Sequence, residues 1–441
     1  MNGTLNSIHI GIQAAKTIRL MKILLVNYRY FISGGPERYM FNVKALLEKH
    51  GHEVIPFSVK HNLNTPSEYD KYFVSPIGDG RVTYFSDSDR TNLPQIVKFF
   101  SRMFYSLEVR KNFIRLVKDT SPDIVYVLHY QNKLSPSFIS AAKRLKLPVV
   151  QRISDFGHIC ANQLFYNYKL GTVCEKCLKG SKINAIRYKC VYNSVIYSTI
   201  KSAALGFHKL LGITKKIDAF VIPSDFTLSK MHLYGIPNNK LVRIPTFYKS
   251  IKSSCSELPI RYEPYALYVG RIEEEKGIMT MVKAFEGTGM SLKIIGFSSR
   301  DFEDEIRMYL EGKEHNIEFF GKQPFSTVKK YLSSCAFTIT PSECYDNFPN
   351  SVLESFAFQK AVVCSDLGSL KEMVRHEETG LLFEPKNHFK LRECCQMLFN
   401  NMDKCKKMGQ EGRIWVRNTI SEDKHYQKLL SLFRGLVEDN N

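Results

Sequence analysis

Apolar residues along this chain fall into short solid runs, separated by stretches in which they recur every three or four positions. KILLVNY (22–28) is the pattern of a strand buried on both faces, and RYFISGG (29–35) is a loop. From Pro36 the positions Tyr39, Met40, Val43, Leu46 and Leu47 recur at helical spacing. Pro36 suits a first helical position and Gly51 the residue just past a helix end; HEVIPFSV (52–59) is the next strand. This strand–helix–strand unit is the building block of a parallel sheet with helices on both faces. The alternation continues through PDIVYVLHY (122–130), SPSFISAAKRL (135–145), PVVQRIS (148–154) and AFVIPS (219–224), followed by a helix to Tyr234. One long basic and aromatic helix is predicted between Pro94 and Lys118.

The periodicity weakens over VRIPTFYKSIKSSCSELPI (242–260), a Pro- and Ser-containing boundary, and then restarts. YALYVG (265–270), SLKIIG (291–296), IEFFG (317–321), AFTITPS (336–342) and KAVVCSD (360–366) are strands separated by helical patterns. Helices are predicted near 387–400, 401–418 and 422–438. The fold class is α/β, with two doubly wound, Rossmann-like domains in tandem. At roughly 100–200 residues per domain, a chain of 441 residues has room for them.

Charge divides the chain unevenly. Residues 1–250 hold 36 Lys and Arg against 15 Asp and Glu, whereas residues 251–441 hold 26 against 28, so the net +19 resides in the first half. Such a field attracts polyanions or an anionic membrane surface, or serves solubility. No recognisable DNA- or RNA-binding module accompanies it, so no nucleic-acid partner is expected. No uncharged apolar run approaches the roughly 20 residues needed to span a bilayer. Residues 1–20 lack the pattern of a signal peptide and read as an extension ahead of a second start-like stretch at Met21. Eleven cysteines without regular disulfide spacing fit a reducing, cytoplasmic setting.

The candidate chemistry lies on the loops after strands, where doubly wound sheets bind ligands. ECYDNFPNSVLE (343–354) follows AFTITPS; Pro349 opens a helix whose early N–H groups favour an anion. Asp346 precedes that helix and Glu354 lies in its second turn, a spacing that suits gripping two ends of an extended ligand. VGRIEEEKG (269–277) delivers Arg271 and Lys276, two cations suited to a diphosphate, or else solvated beside the Glu273–Glu275 run. Ribose, diphosphate and sugar in line, a sugar nucleotide, would match this layout.

These residues resemble the retaining glycosyltransferases of family 4, which have the two-domain GT-B fold. LYVGRIEEEKGI matches that family's Gly-Arg-x-x-x-x-Lys-Gly phrase, and DNFPNSVLE its Glu-x7-Glu motif with Asp346 in place of the first Glu. SGGPE (33–37) is similar to its N-terminal Gly-Gly loop, and DLGSLKEMVRHEETGLLFEP (366–385) to its closing stretch. The resemblance covers nearly all of 21–430. It implies an acceptor-binding domain over 21–245, a nucleotide-sugar-binding domain over 246–415 and a C-terminal helix, 416–441, crossing back. It implies that Gly270, Arg271 and Lys276 face the diphosphate, that Glu354 binds ribose, and that Asp346 holds donor hydroxyls with backbone N–H groups of Asn347, Phe348 and Asn350. Gly34 and Gly35 would let their loop approach donor phosphate and acceptor. The donor would be a nucleotide-diphosphate sugar, the acceptor a glycan or a lipid-linked glycan, and no catalytic metal is expected. The implied place is the cytoplasm, on the inner face of the cytoplasmic membrane. The alternative enzyme on the same architecture is a sugar-nucleotide epimerase.

Weaker candidates remain open in both directions. Asp155 in RISDFGHIC (152–160) orients the acceptor or caps a helix; Ser154, His158 and His129 are acceptor-side candidates or structural residues. Cys160, Cys174, Cys177 and Cys190 hold a structural zinc or are free thiols. Asp87-Ser-Asp89 has the form of a metal-binding Asp-x-Asp, although a solvated loop is the simpler reading. The stretches 94–118 and 189–216 lie on an anionic leaflet, or pack their aromatic side inward and show lysines to water.

Overall fold

The computed structural model describes residues 19–78, 93–248, 258–298 and 301–440; Asp87-Ser-Asp89 and nearly all of the 1–20 extension lie outside them. The first lobe begins with β1 (Lys22–Asn27), α1 (Gly35–Lys49) and β2 (Glu53–Phe57). It continues through α2 (Leu93–Met103), α3 (Leu107–Thr120), β3 (Ile124–His129), α4 (Ser137–Arg144) and β4 (Val149–Arg152). A small insertion then carries the hairpin β5 (Tyr166–Asn167) and β6 (Thr172–Val173) and the helices α5 (Lys176–Lys179), α6 (Ile183–Arg187) and α7 (Val195–Leu210). β7 (Ala219–Ile222), α8 (Asp225–Leu233) and β8 (Leu241–Arg243) complete the lobe.

The second lobe runs β9 (Glu263–Arg271), α9 (Ile278–Phe285), β10 (Ser291–Phe297), α10 (Phe302–Leu310), β11 (Asn316–Phe319), α11 (Phe325–Ser334) and β12 (Cys335–Thr340). α12 (Asn350–Ala357), β13 (Ala361–Ser365), α13 (Leu370–Met373), β14 (Gly380–Phe383), α14 (His388–Asn400) and α15 (Met402–Thr419) follow, and α16 (Glu422–Glu438) ends the chain.

Each lobe holds one six-stranded sheet, ordered β2-β1-β3-β4-β7-β8 and β11-β10-β9-β12-β13-β14, and every pairing is parallel. Parallel strands are covered by helices on both faces, which is why Ile23, Leu24, Leu25 and Val26 are all buried and why the strands read as solid apolar runs. Strand order reverses beside β1 and β3 in one lobe and beside β9 and β12 in the other. Those reversals open crevices at the carboxyl ends of the strands.

Some elements differ from the sequence reading. The long helix between Pro94 and Lys118 is two helices. Ser106 is extended and its hydroxyl accepts from the Val109 N–H, capping α3 and breaking the run. On α2, Phe99 and Met103 pack against Ala204 of α7, but Leu93, Ile96, Val97 and Phe100 face outward, so the aromatic side is not simply turned inward. The short edge strands β8 and β14 and the insertion's short helices α5 and α6 have too few apolar repeats to stand out in the sequence.

α16 leaves the second lobe and packs on the first. Tyr426, Leu429, Leu430 and Phe433 join Ile23, Leu25 and Tyr126 in one core, with the Tyr126 and Phe433 rings 5.3 Å apart, edge to face. Buried polar atoms pin it: His52 Nε2 lies 2.9 Å from the Tyr426 hydroxyl and His425 Nδ1 is 2.9 Å from the Pro245 carbonyl. Burial pushes the His425 imidazole down to about 3, so it is neutral and donates to that carbonyl. Phe433→Ala removes a fully buried ring from this seam and is expected to cost about 3–5 kcal/mol, read by urea unfolding of the full chain.

Candidate active site

The site begins where β9 ends. Gly270 and Gly296 lie side by side on β9 and β10; a Cβ on Gly296 would fall 1.8 Å from the Gly270 carbonyl oxygen, and one on Gly270 would fall 2.6 Å from the Tyr268 hydroxyl. Beyond them the chain makes a tight turn to Gly277, whose φ is +69° and whose Cβ would sit 2.0 Å from the Pro341 carbonyl. Glycine there lets the turn rest on the end of β12 and brings Lys276 onto the next loop. Lys276 Nζ pairs with Asp346 Oδ1. Burial alone would lower the Lys276 pKa, but Asp346 beside it outweighs burial and raises it, so the ammonium is kept. Arg271 Nη2 lies 3.0 Å from Glu275 Oε1, and Tyr168 of the insertion donates to the other Glu275 oxygen at 3.1 Å.

The loop from β12 to α12 carries the second half of the site. Phe348 is held at φ +62°, a strained conformation for a bulky side chain. Its N–H donates to Ser369 Oγ at 3.0 Å and Ser369 Oγ donates to the Asp346 carbonyl at 2.6 Å. The expected donor contact from the Phe348 N–H is therefore corrected: that group is already engaged in bracing the loop. Asn347 donates through Nδ2 to the Ile153 carbonyl at 2.7 Å, and Asn350 Nδ2 to the Gly35 carbonyl at 3.2 Å, so both side chains stitch the loop to the first lobe. Glu354, at 5% exposure, meets Arg38 Nη1 of α1 at 2.7 Å. Burial raises the Glu354 pKa and Arg38 offsets part of that rise.

The first lobe contributes the opposite wall. Gly35 approaches Asn350 so closely that a Cβ would sit 3.0 Å from its Nδ2, whereas Gly34 has room for one. His129, from the end of β3, places Nε2 2.7 Å from Asp155 Oδ2, and Asp155 Oδ1 accepts from the Gly157 N–H at 2.7 Å. Burial would raise the Asp155 carboxyl, but His129 and that N–H prevail and hold it below the ordinary range. Among the described residues His129 Nδ1 has no hydrogen-bond partner. Ser154 Oγ donates to the Leu128 carbonyl at 3.2 Å and lines the cleft. His158 does not: it is buried behind, 3.0 Å from Gln151 Oε1, and burial pushes it down to about 4.

The four cysteines left open between zinc and free thiols lie together. Cys160, Cys174, Cys177 and Cys190 share one neighbourhood, but among the described residues no three Cys, His, Asp or Glu side chains form a metal-ligand set. Cys160 Sγ is turned onto Asn162 Oδ1 at 2.9 Å, Cys177 packs with Ala161, Ala185 and Leu205, and burial raises both thiols.

Between the lobes these groups surround a cleft of about 620 Å³ that includes Gly34, Gly35, Ser154, Asp155, Gly270, Arg271, Lys276, Asp346, Asn350 and Glu354. Sequence reasoning missed Arg38, which reaches Glu354 across the lobes and also stacks over Phe325 at 4.7 Å. It missed the apolar end of the cleft, where Val269, Ile295, Phe325 and Val328 converge. The nearness of Arg38 to SGGPE was the one available signal; nothing in the pattern links it to a residue so far along the chain.

Residues 256–415 match the family model described as glycosyl transferases group 1. An uncharacterised glycosyltransferase of Methanocaldococcus jannaschii is 26% identical over 171 residues, 37% of this chain and 48% of that relative. A second from the same organism is matched over 33% of its length, so the chain spans about half or less of these curated relatives. The N-acetylgalactosamine-N,N'-diacetylbacillosaminyl-diphospho-undecaprenol 4-alpha-N-acetylgalactosaminyltransferase of Campylobacter jejuni is 23% identical over 59% of this chain and 73% of its own. Among solved structures, sucrose-phosphate synthase from Thermosynechococcus elongatus has a TM-score of 0.68 at 17% identity, covering 95% of this chain and 100% of its own. Anabaena HepE in complex with UDP-glucose has a TM-score of 0.59 at 14% identity, covering 94% and 100%. The chain has the GT-B fold, two parallel-sheet lobes facing across a cleft, and its second lobe is the part matched by the glycosyl transferases group 1 model.

Proposed function

We propose that the protein is a retaining glycosyltransferase of family 4 type. It moves a sugar from a nucleotide-diphosphate sugar to a glycan or lipid-linked acceptor in cell-surface polysaccharide or glycolipid assembly. One observation carries the reading: Arg271 at the end of β9, Lys276 on the turn after it, Asp346 on the loop after β12 and Glu354 on α12 converge on a single cleft between the carboxyl edges of two parallel sheets. The nucleobase lies at the apolar end near Phe325, Glu354 takes the ribose hydroxyls, and the two cations take the diphosphate. Asp346 then holds hydroxyls of the transferred sugar.

Without ligand, each of these charges is answered by protein: Lys276 by Asp346, Arg271 by Glu275, Glu354 by Arg38. A bound diphosphate supplies new negative charge to the cations. In the step itself, the bond between the sugar's anomeric carbon and the β-phosphate oxygen breaks as the acceptor oxygen forms a new bond to the same carbon on the same face. The acceptor proton passes to the departing phosphate. Charge on that leaving group is the main quantity the enzyme stabilises, and fixed cations in a partly buried site do so without reorganising. Asp155, which lines the cleft beside Ser154, faces the acceptor, and His129 pairs with it from behind. The C. jejuni relative's lipid-linked substrate and the basic first half of the chain support a position on an anionic membrane surface. No helix among the described residues is long and apolar enough to cross a membrane.

A donor panel starting with UDP-glucose, scored by release of nucleoside diphosphate, tests the assignment. Lys276→Ala and Arg271→Ala are each expected to lose about 10²–10³-fold in turnover while remaining folded. Unchanged turnover in both, or epimerised donor formed without acceptor, overturns the assignment.

Asp346→Asn is expected to impose a pH dependence on nucleotide binding. Without its carboxylate partner, burial governs Lys276 and lowers its pKa, so the ammonium is lost at lower pH. UDP affinity of the variant should fall as pH rises between about 7 and 10, while that of the natural protein stays level, by calorimetric titration.

Asp155→Asn separates the two sides of the cleft. Transfer to acceptor should drop about 10²-fold or more while UDP affinity is retained. A parallel loss of UDP binding would place Asp155 on the donor side instead.

A further inference from the structure

Among the described residues lining the main cleft, every carboxylate is already taken. Asp346 pairs with Lys276, Glu354 with Arg38 and Asp155 with His129. Arg271 finds its partner in Glu275. Arg152, at the end of β4, lines the same cleft and is 5% exposed, yet it has no carboxylate partner among the described residues. What holds it is neutral. Nη1 donates to Ser154 Oγ at 2.9 Å and Nη2 to Thr246 Oγ1 at 2.7 Å, and the guanidinium carbon lies 4.0 Å from the centre of the Tyr39 ring. Nε is buried with no hydrogen-bond partner among the described residues.

The groups behind Tyr39 add no negative charge. Its hydroxyl lies 3.0 Å from that of Tyr126 and 3.1 Å from His425 Nε2. Burial raises both tyrosines, so they stay protonated, and His425 is neutral. A lysine in such a place could shed its proton, but an arginine keeps its charge. A buried guanidinium answered only by hydroxyls and a ring is costly, and a charge-assisted bond to an incoming anion offsets that cost. Position says which anion. Arg271 and Lys276 reach the diphosphate from the second lobe. Arg152 stands on the opposite wall, next in the chain to Ile153, whose carbonyl accepts from Asn347 Nδ2 at 2.7 Å. Asn347 follows Asp346, the residue assigned to hydroxyls of the transferred sugar, so Arg152 borders the sugar.

We infer that Arg152 reads a carboxylate on the transferred sugar, and that the donor is a nucleotide-linked uronic sugar. The inference rests on the donor reading of the main cleft and names the class of sugar that reading leaves open. The uronate carboxylate accepts from N–H groups of Arg152 that Ser154 and Thr246 do not use. A neutral hexose, with a hydroxymethyl group in the same place, leaves the guanidinium without a counter-charge.

Calorimetric titration of the full chain with UDP, with UDP-glucose against UDP-glucuronate and with UDP-galactose against UDP-galacturonate tests this. GDP, GDP-mannose and GDP-mannuronate take their place if GDP is the nucleotide that binds. The members of each pair differ only in hydroxymethyl against carboxylate, so their ratio isolates that group. At least one uronate should bind about tenfold or more tighter than its neutral counterpart. Arg152→Gln, which keeps hydrogen-bond donors but not the charge, should bring the ratio to about one, and Arg152→Lys should keep part of it. A merely structural role would weaken acidic and neutral donors alike and leave the ratio unchanged. If Arg152→Gln does not fold, the ratio in the natural protein decides. A ratio near one or below for every pair in the natural protein, as an acidic acceptor with a neutral donor would give, overturns the inference and leaves the donor reading standing. So does a preference that survives in folded Arg152→Gln, or a tenfold loss of UDP itself in that variant, which would put the arginine on the diphosphate. A natural protein that binds neither UDP nor GDP overturns both.

Discussion

Charge inside the cleft must be answered by charge, and the site does this with its own side chains. Lys276 sits against Asp346, Arg271 against Glu275, and Glu354 against Arg38. A buried ion without a partner is expensive, whereas one whose partner can be exchanged for a ligand's phosphate or hydroxyl is ready for use. The three pairs therefore hold the cleft open as a charged space without committing its groups irreversibly. Tyr168 and Ser369 extend the arrangement outward, one to Glu275 and one to the Asp346 loop.

The same contacts decide how the lobes meet. Arg38, Asn347 and Asn350 each join one lobe to the other at the cleft, while α16 joins them at the back through an apolar seam. The two kinds of joint differ in strength. Burial of Phe433 and its neighbours is a permanent attachment, but the polar contacts at the cleft can be traded for contacts to a ligand.

The first lobe reads as the more specialised of the two. Its sheet supplies His129 and Asp155 from neighbouring strands, and its insertion reaches across to the Glu273–Glu275 phrase through Tyr166 and Tyr168. The exposed apolar stripe on α2 belongs to the same lobe, which also holds the excess positive charge.

Much of the fold was legible because buried parallel strands leave a mark that needs no partner to read: KILLVNY, DIVYVLH and AFTIT each carry a solid apolar run since both faces are covered. Glycines at turns and prolines at helix starts located Arg271, Lys276, Asp346 and Glu354 on strand-end loops for the same local reason. What could not be read depends on contacts distant in the chain. Pairing of Glu354 with Arg38, use of the Phe348 N–H by Ser369, withdrawal of His158 behind Gln151, and the outward face of α2 are all decided by which surfaces come to lie together. Local pattern sets the backbone because propensity and periodicity act over a few residues; the partners of a buried charge and the exposure of an apolar face are set by packing, which acts across the whole chain.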